Sequence, residues 1–264
     1  MRQRSLLFVP GTRADRFDKA LAAGADAVII DLEDAVAPAD KAAARETVRG
    51  WLNAEKPVLL RINAADTAWF ADDLALCASP GVSAVVLPKA ESAAQVATVR
   101  AAGARAVLPL IESAAGFAAL NEISRAPGVQ RLLFGSIDFQ VDLGMRDALE
   151  DELLYFRAQI VLASRLAGIA APIDGVSTAI DDSERLAADV QRAKRLGFAG
   201  KLCIHPRQVA GVHSGFAPTP DEVNWARRVL EVAAAAGGAA VALDGKMVDK
   251  PVILRAEAIL REAA

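Results

Sequence analysis

The stretch Ala106-Val-Leu-Pro-Leu-Ile-Glu-Ser113 contains an unbroken apolar run of strand length that ends at Glu112. Apolar runs without alternation are typical of strands buried on both faces, as in a parallel sheet. The alanine-rich stretches that follow such runs have the apolar spacing of helices. The other runs of this kind are residues 6–9, 27–30, 58–62, 84–87, 132–134, 171–173 and 201–204. Eight strand–helix units in about 210 residues predict an α/β fold, a closed (β/α)8 TIM barrel.

An open, doubly wound sheet is the alternative, but no Gly-x-Gly-x-x-Gly motif follows the first predicted strand. We therefore assign residues 1–217 to the barrel and residues 218–264 to a C-terminal extension. The signals in the extension are a helix start at Thr219, a helix end at Gly237-Gly238, a hairpin turn at Asp244-Gly245 and a last helix from Pro251. A hairpin and a helix cannot enlarge the core of a closed barrel. We expect the extension to pack outside the barrel or on a neighbouring subunit.

The composition fits a folded protein without a strongly basic surface. Hydrophobic residues make up 53% of the 264 residues and charged residues 24%, which excludes a disordered or fibrous chain. Lys and Arg number 30 against 33 Asp and Glu, so nucleic acid is not an expected partner. No uncharged apolar run reaches the roughly 18 residues of a membrane span, and no signal-peptide core is present. With only Cys77 and Cys203, we expect reduced thiols and a cytoplasmic location.

Two acidic residues are the candidate metal ligands. The working groups of a (β/α)8 barrel project from the carboxyl ends of its strands, and Glu112 and Asp138 follow the fifth and sixth predicted strands. Two carboxylates completed by water and substrate oxygens are typical of Mg²⁺ sites, and Mn²⁺ would also suit them. The histidines and cysteines form no zinc-binding pattern. The alternative is that both acids cap the helices that follow them, or pair with Arg61.

Two basic residues also stand at predicted strand ends. Arg61 ends the third strand, and its guanidinium suits a carboxylate or a carbonyl oxygen. A buried ion pair between Arg61 and Glu33 or Glu112 is equally compatible with the pattern. Lys89 follows the fourth strand and is a candidate Schiff-base lysine. We favour the interpretation that Lys89 balances the acidic residues around it.

Further basic residues follow the turn at residues 10–11, where a helix starts. Backbone amides and basic side chains at such a start can bind phosphate, although a solvated helix face explains the pattern equally well. The candidates are Arg13, Arg16 and Lys19, with Lys41 and Arg45 as nearby additions.

Other polar residues near strand ends receive no separate role. Asp31, Glu33 and Asp34 follow the second strand. His205 follows the eighth strand and is assigned to a loop, and His213 is assigned to the surface of a helix. Neither histidine lies in a pattern that indicates a general base.

Several motifs, in order along nearly the whole chain, resemble the citrate lyase beta subunit-like (CitE-like) branch of the HpcH/HpaI aldolase family. Such agreement in both sequence and order is specific at the level of a family. The motifs are SLLFVPGTR (5–13), GADAVIIDLEDAV (24–36), LRIN (60–63), LPKAE (87–91), PLIES (109–113), FGSID (134–138), GFAGKLCIHP (197–206) and LDGKMVDKP (243–251).

The resemblance implies a modified TIM barrel, usually a homotrimer, that acts on CoA thioesters with Mg²⁺. It also implies roles for individual residues of this chain. Glu112 and Asp138 would bind the metal, and Arg61 would bind the carboxylate or carbonyl of the substrate. Lys19 and Arg13 would contact the CoA phosphates, and Phe8 would line the entry of the site. Asp249 would transfer a proton in the site of a neighbouring subunit.

The reaction implied by the resemblance is cleavage of a 3-hydroxy-acyl-CoA such as citramalyl-, malyl- or citryl-CoA. The products are a 2-oxo acid and acetyl-CoA or a related thioester. Two enzyme alternatives remain: the beta subunit of a citrate lyase complex, which takes citryl thioester from an acyl carrier protein, and a metal-dependent aldolase of free 2-oxo acids. A non-catalytic barrel kept for binding is a third alternative, and the full set of acids with Arg61 argues against it.

Overall fold

The computed structural model describes residues 3–237 and 239–263; Met1, Arg2, Gly238 and Ala264 lie outside the described residues. The chain divides into two compact units, Met1–His213 and Ser214–Ala264. The sequence places the division after residue 217, and the domain assignment stays a prediction.

The larger unit is a closed barrel in which eight strands pair in sequence order and the last strand pairs with the first. All of these pairings are parallel, and Leu202 of the last strand is opposite Leu6 of the first. The predicted (β/α)8 barrel is therefore confirmed. Its strands are β1 (Ser5–Pro10), β2 (Ala27–Asp31), β3 (Val58–Arg61), β4 (Val82–Leu87), β5 (Val107–Ile111), β6 (Arg131–Phe134), β7 (Ala170–Asp174) and β8 (Gly200–Cys203).

Helices connect the strands on the outside, as parallel pairing requires. Their starts follow capping rules: Ser92 caps one helix by accepting from the backbone N–H of Gln95, whose side chain reaches back in turn. The helices are α1 (Ala14–Leu21), α2 (Lys41–Trp51), α3 (Phe70–Asp73), α4 (Ala93–Ala101), α5 (Ala114–Ala118), α6 (Leu120–Ser124), α7 (Ser136–Asp142), α8 (Leu154–Ala167), α9 (Ser183–Leu196) and α10 (Arg207–Phe216).

Alternate residues of the strands fill the inside of the barrel. Ile29, Leu59 and Leu110 belong to one buried apolar cluster with residues from the other strands. Successive side chains of a strand point to opposite faces, so the side chain two residues further on also points inward. On β2, on β3 and just after β5, those inward positions at the carboxyl end hold Asp31, Arg61 and Glu112. The alternation that builds the core thus delivers three charged groups to one end of the barrel.

The outward positions of β7 and β8 carry a buried ion-pair network. The Asp174 carboxylate accepts from Arg157 Nε of α8 at 2.8 Å and lies 3.4 Å from Lys201 Nζ. All three side chains are at most 3% exposed. Burial of these charges is tolerable only because they pair, so Asp174 compensates two cations between the barrel and its helices.

The smaller unit has a core of its own. It consists of α11 (Pro220–Ala235), the antiparallel strands β9 (Val241–Leu243) and β10 (Lys246–Val248), and α12 (Lys250–Ala263). Buried Ala226, Val229 and Val248 hold it together. Asp244 and Gly245 both have positive φ, as the predicted Asp-Gly hairpin turn requires. The predicted helix end at Gly237-Gly238 falls partly on a residue outside those described.

Among residues 3–237 and 239–263, the helices include none that combines the length and the apolar character needed to cross a bilayer.

Replacement of Asp174 by Ala tests the buried network. We expect Asp174→Ala to lower the free energy of unfolding by about 3–5 kcal/mol, because it removes the buried carboxylate that contacts both Arg157 and Lys201 and leaves Arg157 with Glu150 alone. Urea denaturation measures the change. The control is Glu46→Ala, which removes a carboxylate that is 69% exposed in its pair with Arg49 and leaves the midpoint unchanged. Equal midpoints for the two variants would contradict the compensating role of Asp174.

Candidate active site

A cavity of about 390 Å³ opens at the carboxyl ends of the strands. Its lining includes four of the residues expected at the site, Phe8, Arg61, Glu112 and Asp138. The inward alternation of the strands explains why residues far apart in the sequence meet here. A volume of this size is in the usual range of small-molecule sites.

Arg61 is fixed in place by Asp31. Its Nε donates to one carboxylate oxygen of Asp31 at 2.7 Å and its Nη2 to the other at 2.6 Å. Its Nη1 lies 2.8 Å from a carboxylate oxygen of Glu33, and its guanidinium carbon lies 4.8 Å from the ring centre of Phe8. Burial alone would lower the pKa of Arg61, but the charge and hydrogen bonds of Asp31 raise it. The predicted ion pair thus forms with Glu33 and, more strongly, with Asp31.

The same guanidinium remains able to bind a ligand. It has five N–H donors, of which Asp31 takes two and Asp34 accepts a third at 3.4 Å, and it lines the cavity. A planar, charged group held by a bidentate partner keeps its orientation as a ligand enters. Arg61 is therefore suited to a carboxylate or to an oxygen on which negative charge develops.

Glu112 is a buried carboxylate that is 3% exposed. Its Oε1 accepts from the backbone N–H of Lys89 at 2.8 Å. Burial, and then the negative charge of Glu33, raise the pKa of Glu112 to about 8, and Asp138 adds to the rise. The backbone of Gly135 makes room for this carboxylate, because a Cβ at that position would lie 2.2 Å from Glu112 Oε2. Such a group is stable as an anion only beside a positive charge.

The acidic pair fits a hard divalent cation. Asp138 is half-buried in the first turn of α7, and α7 follows the strand next to the one that Glu112 follows. In the part of the chain that the structure describes, no group of three or more His, Cys, Asp or Glu side chains could hold a metal. Mg²⁺ is usually bound through one or two carboxylates with water and substrate completing the shell, whereas structural zinc needs four protein ligands. The donor set suits Mg²⁺ or Mn²⁺.

Glu33, predicted only as an alternative ion-pair partner of Arg61, is a buried carboxylate beside the cavity. Burial raises its pKa to about 7, although the charges of Arg61 and Lys89 act in the opposite direction. It connects Arg61 to Lys89, whose Nζ lies 3.2 Å from Glu33 Oε1. The run of acidic residues after β2 indicated that an acid could lie near the site. Only the structure shows which of these side chains contact Arg61 and Lys89.

Lys89 has the properties of a balancing cation. It has a positive φ of 44°, a conformation that few residues other than glycine adopt, and it thereby directs its N–H to Glu112. Burial alone would lower the pKa of Lys89, but the charge of Glu33 and a hydrogen bond to it raise the pKa. A Schiff-base lysine needs a lowered pKa, so the geometry supports the balancing interpretation.

A second cleft, of about 530 Å³, adjoins the cavity and is called the basic cleft here. Arg13, Arg16 and Lys19 line it, as predicted for an anion site. Arg13 is engaged by Asp15, which accepts from its Nε and Nη2 at 2.8 Å each. Arg16 and Lys19 have no ion-pair partner among the described residues.

Two of the basic residues predicted for this region lie elsewhere. Lys41 is buried and donates to the backbone carbonyls of Leu32 and Glu33 at 2.8 and 2.7 Å. Arg45 is buried and pairs with Asp73 at 2.8 Å. The prediction that both could join a phosphate site was wrong, because α2 turns their side chains inward.

His213 lies on helix α10 as predicted, but its side chain is only 25% exposed and contacts the barrel. His213 is half-buried at the amino end of the barrel, where its Nε2 lies 2.7 Å from Ser5 Oγ and 3.3 Å from Asp26 Oδ2. Polar residues at that end of a (β/α)8 barrel contribute to stability rather than to catalysis. His205, by contrast, lies in the basic cleft.

Asp249 belongs to the smaller unit. It precedes α12, and its Oδ1 accepts from the backbone N–H of Val252 at 3.4 Å. Its expected role in a neighbouring subunit's site stays a prediction.

Acids and a fixed arginine around one cavity, at the carboxyl ends of the strands, are the arrangement of a (β/α)8-barrel enzyme. Residues 4–206 match the family described as HpcH/HpaI aldolase/citrate lyase. The chain belongs to this family.

Individual relatives agree with this assignment. The chain is 41% identical to the citrate lyase subunit beta-like protein of Deinococcus radiodurans, over 99% of this chain and 97% of that protein. It is 35% identical to the L-malyl-CoA/beta-methylmalyl-CoA lyase of Cereibacter sphaeroides, over 98% of this chain and 94% of that protein. The crystal structure of CitE from Mycobacterium tuberculosis in complex with magnesium, acetoacetate and coenzyme A matches with a TM-score of 0.90 and 39% identity, over 99% of this chain and 98% of that one. The expected family, its citrate lyase beta subunit-like branch and the assignment as a lyase are confirmed.

The character of Lys89 gives a test that needs no knowledge of the substrate. We expect no covalent adduct when the protein is treated with pyruvate and borohydride, because a protonated, paired lysine does not form a Schiff base. Mass spectrometry of the intact chain measures the result, and a Schiff-base aldolase treated in parallel controls for the reduction. A gain in mass located at Lys89 would contradict this assignment.

Proposed function

We propose that the protein is a Mg²⁺-dependent carbon–carbon lyase that cleaves a 3-hydroxy-acyl-CoA thioester into a 2-oxo acid and a smaller acyl-CoA. The observation that carries the proposal is the meeting of Glu112, Asp138 and the fixed Arg61 in one cavity. Citramalyl-, malyl- and citryl-CoA are the candidate substrates. The names of the relatives support a CoA thioester and magnesium.

Glu112 and Asp138 would hold the ion, with substrate oxygens in the remaining positions. Mg²⁺, when bound, supplies Lewis-acid stabilisation of negative charge on oxygen. Arg61 binds the carboxylate or carbonyl oxygen and stabilises the charge that develops there. Asp31 holds Arg61 in the orientation that this role needs.

The bond that breaks joins the second and third carbons of the acyl chain. The hydroxyl proton passes to a water molecule, the hydroxyl oxygen becomes the carbonyl of the 2-oxo acid, and the thioester fragment leaves as an enolate. That enolate takes up a proton on carbon to give the acyl-CoA product. We assign this proton transfer to Asp249, supplied by a neighbouring subunit of a homotrimer.

The carrier part of the substrate lies in the basic cleft. Phe8 lines both the cavity and the basic cleft, so a thioester can extend from one into the other. Lys19 and Arg13 are the predicted phosphate ligands. Arg13 forms an ion pair with Asp15, whereas Lys19 has no ion-pair partner among the described residues.

Metal removal tests the proposed reaction. Assayed with malyl-, citramalyl- and citryl-CoA, the protein should cleave at least one, and EDTA should abolish the activity until Mg²⁺ is restored. Glu112→Gln should lower kcat/KM at least about a hundredfold because it removes a negative metal ligand. Gly135→Ala should also lower it, because its Cβ displaces the Glu112 carboxylate.

The control for these variants is Glu46→Gln, which changes an exposed carboxylate of α2. Activity that survives both EDTA and Glu112→Gln would contradict the metal mechanism. Cleavage of carrier-bound citryl thioester alone would instead identify a subunit of a citrate lyase complex.

Co-expression of two inactive variants tests the role of Asp249. Asp249→Asn and Glu112→Gln should each be inactive, and Asn preserves the cap of α12. Mixed oligomers should regain activity, because some sites combine an intact Glu112 with an intact Asp249 from another subunit.

The matched control is co-expression of Glu112→Gln with Asp138→Asn, whose altered residues line the same cavity of one chain. This pair should stay inactive. Full activity of Asp249→Asn alone, or no recovery in the first mixture, would contradict the shared site.

A further inference from the structure

A hydrogen bond joins the two segments that carry the proposed metal ligands. Glu112 lies between β5 and α5, and Asp138 lies in the first turn of α7. Asp142 is the last residue of α7, and its Oδ2 accepts from the backbone N–H of Ala114, the first residue of α5, at 2.6 Å. This bond therefore connects the end of the helix that carries Asp138 to the backbone two residues after Glu112.

Asp142 lies on the same side of α7 as Asp138. Residues four apart in an α-helix are separated by only about 40° around the axis, so their side chains are neighbours on one face. Within the described part of the chain, Asp142 is the only side chain of α7 that hydrogen-bonds outside the helix. The Gln140 side chain donates to the carbonyl oxygen of Ser136, inside the same helix. The face that carries Asp138 thus has its polar contact with the barrel at Asp142.

The apolar anchor of α7 lies on a different side of the helix. Phe139 is buried, and its ring centre lies 5.5 Å from that of Phe134 and 5.9 Å from that of Phe117 on α5. Phe139 is about 100° from Asp138 around the helix axis. Because apolar packing is non-directional, this contact holds α7 against the barrel but restrains its rotation less than a hydrogen bond does. The bond from Asp142 supplies that restraint.

Asp138 has no such restraint of its own. It is half-buried and lines the cavity, and its carboxylate accepts no hydrogen bond from the residues that the structure describes. Glu112, by contrast, accepts from the backbone N–H of Lys89. The position of the Asp138 carboxylate is therefore set by the placement of α7. Mg²⁺ demands near-ideal octahedral geometry, so a rotation of α7 would move one ligand away from the other and weaken binding.

We propose that Asp142 is a positioning residue for the metal site: it holds α7 against the segment that follows Glu112, fixes the place of Asp138 relative to Glu112, and so raises the affinity for Mg²⁺. This inference rests on the proposed function, because it concerns the ion that the lyase reaction needs. Asp142 is not among the residues that line the cavity, so it acts on the ion through Asp138. Groups that orient metal ligands without touching the metal typically change affinity or activity by about ten- to a hundredfold.

Titration with Mn²⁺ tests this role without substrate or turnover. The EPR signal of the free ion gives the Kd of the full-length protein. We expect Asp142→Ala to raise that Kd about tenfold. Asp142→Asn should stay near the wild-type Kd, because the amide oxygen of Asn also accepts a hydrogen bond. The midpoint of urea denaturation without metal should change little in either variant, because the bond lies at the surface.

Glu122→Ala is the matched control. Glu122 Oε1 accepts from the backbone N–H of Ala93, the first residue of α4, at 3.2 Å. This variant therefore removes the same kind of surface bond, between a carboxylate and the start of a helix. Neither α4 nor α6, which the bond joins, carries a proposed metal ligand. The Kd for Mn²⁺ should keep its wild-type value, and the urea midpoint should change as little as in Asp142→Ala.

The dependence of activity on Mg²⁺ gives a second readout. In Asp142→Ala, the Mg²⁺ concentration for half-maximal cleavage should rise by the same factor as the Kd for Mn²⁺. Saturating Mg²⁺ should restore most of kcat, because the bound ion itself then holds Asp138 near Glu112. A loss of activity through misfolding would not respond to the ion in this way.

An unchanged Kd in Asp142→Ala would overturn the proposal. Equal weakening in Asp142→Ala and Asp142→Asn would also overturn it, because the effect would then come from the charge and not from the hydrogen bond. A wild-type protein that binds no Mn²⁺ would overturn this proposal and the metal mechanism together. A wild-type protein that binds Mn²⁺ but cleaves none of the three thioesters would contradict the proposed function alone.

Discussion

The active site depends on a carboxylate held where water does not solvate it. Glu112 is buried at the carboxyl end of the barrel interior, and Glu33 and Asp138 add negative charge to its surroundings. Each of these three carboxylates raises the free energy of ionising the other two. The cations in contact with Glu33 are Arg61 and Lys89. Arg61 is already committed to Asp31. A divalent cation between Glu112 and Asp138 would resolve this imbalance, and the same ion is the electrophile that the proposed cleavage needs.

The barrel produces this arrangement through its side-chain alternation. Inward positions of the strands are mostly apolar, and towards the carboxyl ends they become charged at the last inward position of β2 and β3 and after β5. Gly135 is the corresponding position after β6, and its missing Cβ is the space that Glu112 occupies. Outside the barrel, the buried Asp174 has two cations in contact, Arg157 and Lys201, whereas no ion pair involves Glu112 in the part of the chain that the structure describes. Incomplete compensation at one end of the barrel therefore indicates function.

Much of this could be predicted from the sequence, because the physical signals are local. The eight strands were found from unbroken apolar runs, and Glu112, Asp138 and Arg61 from their places after or at the ends of such runs. The hairpin turn at Asp244-Gly245 could be predicted because Asp and Gly adopt the positive φ that such a turn needs. In each case a short stretch of residues contains the information.

The features that were missed depend on tertiary packing. Lys41 and Arg45 look like solvated helix residues, but α2 buries them against backbone carbonyls and Asp73. The two hydrogen bonds from Arg61 to Asp31 are set by side-chain orientation, which periodicity does not contain.

The central claim is that Glu112 and Asp138 together hold a divalent cation, and anomalous diffraction tests it most directly. Crystals grown with Mn²⁺ and a 2-oxo acid should show one anomalous peak at the carboxyl end of the barrel. The account predicts that the ion contacts a carboxylate oxygen of Glu112 and one of Asp138, with oxygens of the 2-oxo acid beside it. A peak bound instead by Asp31, Glu33 or Asp34, or no peak at the two carboxylates, would contradict it.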